Sequence, residues 1–259
     1  MAMRHQARRS RRLCRGCHER RALPHDGRDA NVRMNMQPQP PASVSLGPCR
    51  VLSLDGGGAK GFYTIGVLKE IEALAGRPLY QCFDLIFGTS TGAIIAALLA
   101  LGHQLDEIHT LYKEHVPTIM AQRTRRRRSD ALAHVARTVF GDRTFADVKT
   151  GVGIVATRWE FEKPMIFKAS VEQAHGRHGT FLPGLGCTVA DAVQASCSAY
   201  PFFQKHVIKT GKGEIVELID GGYCANNPTL YAIADAVNAL KRLPVDLRVV
   251  SIGVGVYQP

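Results

Sequence analysis

A serine flanked by glycines is the residue of this sequence best placed to act as a nucleophile. Ser90 stands in the pentapeptide Gly-Thr-Ser-Thr-Gly between Gly88 and Gly92, with an apolar segment on either side. Such a turn between a strand and a helix forms a nucleophile elbow, in which the serine is strained and neighbouring β-carbons would collide. The hydroxyl is then held at a sheet edge, at the positive end of the following helix. The pattern predicts Ser90 as a nucleophile.

A glycine-rich turn could stabilise the negative charge that attack by a serine creates. The segment Asp55–Gly61, DGGGAKG, follows a short strand and opens a helix, so the amides of Gly56, Gly57 and Gly58 can face one concavity. A turn of this kind could also hold a phosphate. With Ser90 at the neighbouring strand end, an oxyanion hole is the favoured interpretation. Asp55, Lys60 and Gly61 complete the motif, and Lys60 adds a positive field or solvates the rim.

An aspartate late in the chain is the candidate base. Asp220 ends a predicted strand and is followed by Gly221 and Gly222, at what should be the same sheet edge as Ser90. A carboxylate there can take the serine proton directly when burial raises its pKa. A Ser/Asp dyad fits this order, although spacing alone does not separate Asp55 from Asp220 as the base.

Two other functions stay open. One is a Ser/His/Asp triad esterase, in which the last histidine of the chain, His206, acts with an upstream acid such as Asp191. The other is a non-enzymatic module that binds nucleic acid or anionic membrane through its basic N-terminal segment.

Strands and helices alternate along the sequence. This alternation predicts an α/β fold with a mostly parallel central sheet and helices on both faces, with ligands bound beyond the carboxyl ends of the strands. The predicted strands are 50–54, 83–87, 151–159, 164–170, 214–220 and 247–255, and the predicted helices are 62–74, 92–101, 188–199 and 229–243.

The positive charge is confined to two segments. The formal net charge is +11, but residues 1–36 hold ten arginines against three acidic residues, and 123–128 holds five more arginines. The remainder is close to neutral, so the composition does not predict specific nucleic-acid binding. We expect residues 1–48 to be a disordered arginine-rich extension and proline-rich linker, and 49–259 to be the folded domain.

The cysteines and apolar runs bear on the compartment. Seven cysteines without framework spacing favour a reducing environment, so we expect a cytoplasmic protein. The longest apolar run, 93–101, is much shorter than the ~20 residues that span a bilayer. The sequence CRGCH at 14–18 has the spacing of a haem attachment or half a zinc site. Without an export signal or a second Cys/His pair, we predict no metal or cofactor.

Three motifs occur in one order: DGGGAKG, GTSTG and DGG. In this order the chain resembles the patatin-like phospholipases, over roughly Arg50 to Gly255, and the stretches 195–203 and 226–228 are also similar to that family. The resemblance implies a three-layer α/β/α sandwich, Ser90 as nucleophile, Asp220 as base and Gly56–Gly58 as oxyanion loop. It also implies hydrolysis of acyl esters of membrane lipids without a metal.

The resemblance extends to partners and regulation. It implies a phospholipid or other acyl lipid as substrate, met at a membrane surface, so the protein is expected to be peripheral at the inner membrane. The segment Arg123–Arg128 is then either a contact to anionic lipid or a solvated loop. Some bacterial members of the family are activated by a cyclic nucleotide. Activation of this protein by such a ligand is therefore a hypothesis. Family members often continue beyond the position that corresponds to Pro259, so truncation at the C-terminus is a second hypothesis.

Overall fold

The computed structural model describes residues 47–255. The predictions for the N-terminal extension, including CRGCH, therefore lie outside the described residues apart from 47 and 48. The strands are β1 Cys49–Leu54, β2 Leu85–Thr89, β3 Gly151–Arg158, β4 Lys163–Lys168, β5 His206–Lys209, β6 Ile215–Asp220 and β7 Leu247–Ile252. The α-helices are α1 Gly61–Ala75, α2 Thr91–Leu101, α3 Leu105–Met120, α4 Arg125–Phe140, α5 Val189–Ser196, α6 Gly222–Ala225 and α7 Thr229–Ala234, and a π-helix, Asp235–Ala239, continues α7.

The strands form one sheet, in the order β5-β6-β3-β2-β1-β7, with β4 beside β3. The predicted α/β class is confirmed, and the half built from β7, β1, β2 and β3 is parallel. The other half is antiparallel. The reason is the length of the connections: residues 159–162 join β3 to β4 and residues 210–214 join β5 to β6. Neither reaches the dozen or so residues that a parallel crossover needs.

Strands β2 and β6 share one edge of β3. β2 ends with Thr89 opposite Val155, and β6 ends with Asp220 opposite Ala156. Because β4 occupies the other edge of the same stretch of β3, β2 and β6 lie end to end. The carboxyl ends of two strands that run in opposite directions therefore meet.

Helices cover both faces of the sheet. On one face Leu52 and Leu54 of β1 and Ile86 of β2 join a core with the apolar residues of α2. On the other face, Cys49 and Val51 of β1 and Leu85 and Phe87 of β2 form a second core with Ala232 of α7 and Ala236 of the π-helix. Alternate residues of each strand thus enter opposite cores, as the period of a strand requires. The result is the three-layer arrangement expected from the sequence.

Helices α3 and α4 lie between α2 and β3 in the sequence. Arg123–Arg128 was expected to be a lipid contact or a solvated loop, and most of it forms the first turn of α4. The hydroxyl of Thr124 caps that turn by accepting a hydrogen bond from the Arg127 N–H at 3.3 Å. Cations at a helix N-terminus oppose the helix dipole, so the local pattern does not favour a helix there. Within 47–255, no helix combines the length and the apolar character needed to cross a bilayer.

We predict that Leu98→Ala destabilises the fold by about 2–5 kcal/mol, because Leu98 of α2 is buried in the core and its removal leaves a cavity. The matched control is Leu74→Ala in α1, where the side chain is 89% exposed and the change should stay within about 0.5 kcal/mol. Urea unfolding followed by circular dichroism measures both. Equal effects of the two substitutions would contradict the described core.

Candidate active site

Ser90 lies at a strained turn between β2 and α2. Its backbone has φ 52° and ψ −119°, a conformation that costs about 1–3 kcal/mol for a residue other than glycine. The flanking glycines allow the close approach that this turn needs. A β-carbon on Gly88 would lie 2.2 Å from the carbonyl oxygen of Gly92, and one on Gly92 would lie 2.2 Å from that of Leu54. This is the geometry predicted for a nucleophile elbow.

The Ser90 hydroxyl faces Asp220. Ser90 Oγ donates a hydrogen bond of 2.6 Å to Asp220 Oδ2, and the Gly222 N–H donates one of 2.7 Å to Asp220 Oδ1. Asp220 is only 6% exposed. Burial raises the pKa of Asp220, and the hydrogen bonds from Ser90 and Gly222 offset that rise only in part. A carboxylate with a raised pKa is a stronger base, which suits it to accept the serine proton.

The other candidate bases lie elsewhere. His206 Nε2 is 3.9 Å from Asp191 Oδ1, and burial lowers the pKa of this histidine. The structure thus brings His206 and Asp191 together, but the Ser90 hydroxyl is bonded to Asp220. Asp55 Oδ1 accepts a 2.8 Å hydrogen bond from the Asn227 side chain, which anchors the glycine-rich turn. Of the two aspartates, Asp220 therefore contacts the Ser90 hydroxyl, and Asp55 is bonded to Asn227.

A serine from α5 holds the elbow in place. Ser196 Oγ accepts the N–H of Ser90 at 2.9 Å and donates to the carbonyl of Val155 at 2.5 Å. The Ser196 hydroxyl thereby joins the elbow to β3. Ser196 is not among the site residues predicted from the sequence. The available signal was a hydroxyl residue at the end of a helix, inside the stretch 195–203 that resembles the family.

Asp220 is fixed through its own backbone. The Asp220 N–H donates to the carbonyl of Ser198 at 2.9 Å, and Thr157 Oγ1 donates to the carbonyl of Asp220, also at 2.9 Å. Gly221 follows, and its N–H reaches the carbonyl of Ser196 at 3.3 Å. The carboxylate is therefore set by strand and helix contacts on both sides of the chain.

The glycine-rich turn differs from the expectation at one residue. The N–H of Gly56 donates to the carbonyl of Asn226 at 3.1 Å, so this amide is engaged in holding the turn. Among the residues that the structure describes, none accepts a hydrogen bond from the N–H of Gly57 or Gly58. Gly57 lines the cleft that holds Ser90 and Asp220. The oxyanion proposal therefore narrows to Gly57 and Gly58.

Two hydroxyls orient Gly58. Its carbonyl accepts a hydrogen bond of 2.9 Å from Thr91 Oγ1 and a short one from the hydroxyl of Tyr112. Tyr112 lies on α3, and burial raises its pKa to about 12, so it stays a neutral donor. Gly61 begins α1 behind the turn, and Lys60 is exposed at the rim.

An apolar cavity opens at Ser90. It has a volume of about 230 Å³ and lies between α2, α3, α4 and residues 197–203. A narrower apolar pocket of about 40 Å³ continues it between the same three helices. Five residues line both spaces: Ile94, Tyr112, Val116, Ile119 and Leu132. The nucleophile therefore stands at the mouth of a space that suits a hydrocarbon chain.

A serine on a strand–turn–helix elbow of an α/β sheet, bonded to a buried carboxylate, is typical of serine hydrolases. The family model for patatin-like phospholipases matches residues 52–233, and the chain belongs to this family.

Several phospholipases are similar in sequence to this chain. A cUMP-AMP-activated phospholipase of Escherichia coli is 68% identical, over 81% of this chain and 65% of its own length. A cGAMP-activated phospholipase of Escherichia coli (strain TW11681) is 30% identical, over 74% of this chain and 57% of its own. Calcium-independent phospholipase A2-gamma of Rattus norvegicus is 26% identical, over 81% of this chain and 29% of its own length. The chain thus spans less than two thirds of each of these relatives.

The raised pKa of Asp220 leads to a prediction about pH. We expect Ser90 to be labelled by a fluorophosphonate, at a rate that rises with pH as Asp220 loses its proton. The midpoint should lie above about 3.9, the ordinary aspartate pKa, because burial favours the protonated form. Mass spectrometry of the labelled protein measures the rate, with Ser90→Ala as the unlabelled control. Circular dichroism at each pH separates titration from unfolding, and a rate independent of pH would contradict the assignment.

Proposed function

We propose that this protein is a lipid acyl hydrolase of the phospholipase A type, which cleaves fatty-acyl esters of membrane phospholipids through a Ser90 acyl-enzyme. The observation that carries the proposal is the 2.6 Å hydrogen bond from Ser90 to a buried Asp220, at the mouth of an apolar cavity. Membership of the patatin-like phospholipase family supports it.

The dyad geometry suggests the course of the reaction. Ser90 Oγ attacks the ester carbonyl while Asp220 Oδ2 takes its proton, and the N–H groups of Gly57 and Gly58 stabilise the oxyanion. Asp220 then returns the proton to the leaving alcohol oxygen as the ester C–O bond breaks. Water attacks the acyl-enzyme with Asp220 again as base, which releases the fatty acid and restores the Ser90 hydroxyl.

The apolar cavity is the proposed site of the acyl chain. Its walls come from α2, α3 and α4, and the narrower pocket beyond continues in the direction away from Ser90. Burying a methylene group stabilises a complex by about 0.8 kcal/mol, so a chain that fills this space gains affinity with length. A fatty-acyl ester matches this site better than a short polar one.

Apolar side chains at the cavity mouth favour a lipid surface as the place of reaction. Phe202 and Met120 line the cavity and are 65% and 52% exposed. Tyr223, beside the cleft that holds Asp220, is 59% exposed. Large apolar groups of this kind around an opening are suited to enter the interface of a bilayer.

Cations surround the same mouth. The guanidinium of Arg125, in the first turn of α4, lies 5.6 Å from the ring centre of Tyr200, and the Gln204 N–H donates to Ser129 Oγ at 2.7 Å. These contacts set the basic end of α4 beside residues 197–203 of the cavity wall. Lys205 lies nearby, with its Nζ 4.0 Å from the ring centre of Trp159, but it is paired with Glu217 Oε2 at 2.8 Å. Cations next to exposed rings favour anionic phospholipid, so we propose peripheral contact at the inner membrane.

The names of the relatives suggest how the activity is controlled. A relative 68% identical to this chain is a cUMP-AMP-activated phospholipase, and one 30% identical is cGAMP-activated. We extend this mode of control to the present chain: a cyclic dinucleotide activates its hydrolase in the cytoplasm.

The dyad is tested on mixed phospholipid vesicles, with cyclic UMP-AMP present and absent. We expect the wild type to release fatty acid, Ser90→Ala to lose release, and Asp220→Asn to lose about 10²–10⁴-fold, because the general base is gone. The two losses should not add, since both residues serve one step.

His206→Ala is the matched control, because it removes a buried polar group outside the dyad and should keep the activity. Strong loss in that variant together with near-normal release by Asp220→Asn would favour the triad instead. Equal release by all variants would overturn the mechanism.

The membrane contact is tested by charge removal at the start of α4. In a Ser90→Ala background, Arg125→Gln with Arg127→Gln should weaken binding to anionic vesicles roughly tenfold or more, since each surface cation contributes about 1 kcal/mol. Sedimentation with vesicles measures the binding. Lys113→Gln with Arg137→Gln removes the same charge from exposed positions of α3 and α4 and should bind as the parent does. Equal weakening by both pairs would leave no role for the mouth.

A further inference from the structure

A second cavity lies beside β4, and we call it the β4 cavity. Its volume is about 420 Å³, and its walls are residues of β4, the segment 173–185 and the β5–β6 connection. It shares no lining residue with either space at Ser90. The volume falls in the range of pockets that hold small organic ligands.

Among the described residues, the lining of the β4 cavity carries more cations than carboxylates, and its one carboxylate, Glu214, pairs with Arg158 at 2.8 Å. Arg177 and Lys212 line the cavity and are exposed, and Lys168 reaches it from the end of β4. Within 47–255 no carboxylate forms an ion pair with the side chain of Arg177 or Lys212. Guanidinium and ammonium groups without a carboxylate partner suit a phosphate.

Part of the lining of the β4 cavity is apolar. The ring of Phe181 lines the cavity next to Leu182, Leu185 and Met165. An aromatic ring in an apolar wall offers a stacking surface to a nucleobase. Phosphate-binding cations and a stacking surface in the same cavity match a nucleotide.

Asp235 of the π-helix lies buried behind the β4 cavity. It accepts hydrogen bonds from Lys168, from His175 Nε2 at 2.6 Å and from Gln173 Nε2 at 3.0 Å. All three partners also line the cavity. A phosphate in the cavity would compete with Asp235 for Lys168 and His175. π-Helical turns are frequent at functional sites.

The β4 cavity is connected to the catalytic base by one row of the sheet. Met165 of the cavity wall pairs with Ala156 of β3, and Ala156 pairs with Asp220. Adjacent strands are about 4.8 Å apart, so two strand spacings, about 10 Å, separate the cavity wall from the base. Only β3 therefore lies between the β4 residue of the cavity wall and the residue proposed as base.

A second connection runs through α7. Asp235 follows the C-terminal end of α7, and Asn226 and Asn227 precede its N-terminal end. Those two asparagines hold the glycine-rich turn through Gly56 and Asp55. The first connection ends at the proposed base, and the second ends at the turn that carries the proposed oxyanion amides.

We propose that the β4 cavity binds the cyclic dinucleotide activator, with Arg177, Lys212 and Lys168 on its phosphates and Phe181 stacked on one base. Occupation acts on Asp220 through β4 and on the oxyanion turn through α7. This inference rests on the proposed function, which supplies the class of activator, whereas the location comes from the cavity itself.

The binding experiment uses the full chain with Ser90→Ala and isothermal titration of cyclic UMP-AMP. Arg177→Gln with Lys212→Gln should raise the Kd at least tenfold, because two charge-assisted hydrogen bonds are removed. Phe181→Leu should raise it about fivefold or more through lost stacking. Lys113→Gln with Arg137→Gln is the charge-matched control and should leave the Kd unchanged.

Three outcomes would overturn the proposal. They are no binding by the Ser90→Ala chain, the same Kd in the cavity variants as in the parent, and the same loss in the control pair. Thermal unfolding of each variant shows that the fold is retained. Binding to anionic vesicles should be unaffected by Arg177→Gln with Lys212→Gln, and a parallel loss there would assign these cations to lipid headgroups instead.

The activity experiment separates this inference from the proposed function. In the catalytically intact chain, the ratio of fatty-acid release with and without cyclic UMP-AMP should fall toward one in Arg177→Gln with Lys212→Gln. Nucleotide binding that depends on these cations without any fatty-acid release by the wild type would support the site and contradict the hydrolase. Stimulated release that is unchanged in the cavity variant would do the reverse.

Discussion

The candidate site depends on the way in which two strands share one edge of β3. β2 and β6 run in opposite directions and stop at adjacent residues, Val155 and Ala156. Only that arrangement sets the first residue after β2 against the last residue of β6, at 2.6 Å between Ser90 Oγ and Asp220 Oδ2. A sheet that was parallel throughout would carry the two carboxyl ends side by side, one strand spacing apart. The antiparallel half of the sheet therefore brings together the two residues of the proposed dyad.

The strained serine and the buried carboxylate destabilise the fold, and contacts in the surrounding structure offset this loss. Ser90 adopts a strained backbone, and burial raises the pKa of Asp220. Because that pKa is raised, the fold loses stability as the pH rises through the interval between the ordinary aspartate value and the raised one. The strain is offset by α2, which is buried along almost its whole length, and by the Ser196 hydroxyl that joins the elbow to β3. The proposed nucleophile is therefore held by a helix that is almost wholly buried.

The structural features that depend on neighbouring residues could be predicted from the sequence. The features that depend on contacts between residues distant in the sequence could not. The elbow at Ser90 is encoded by two glycines within two residues of it, so its position was predictable, as were the α/β class and the helices on both faces. The choice between Asp55 and Asp220 required the docking of β6 on β3, and the engagement of the Gly56 amide required the carbonyl of Asn226. No local pattern reports either contact. The helix at Arg125–Phe140 was hidden because its first turn is basic, while its packing is set by apolar residues further along.

Helix α3 has two attachments that link substrate fit to catalysis. Its residues Val116 and Ile119 form a wall of the apolar cavity, while its Tyr112 hydroxyl holds the carbonyl of Gly58. A chain too bulky for the cavity would push α3 outward and pull this carbonyl with it, turning the peptide plane next to the proposed oxyanion amides. A chain that fits leaves the plane in register. Under the proposed mechanism, a misfit inside the cavity would therefore weaken charge stabilisation at the ester, and selectivity would arise in turnover as well as in affinity.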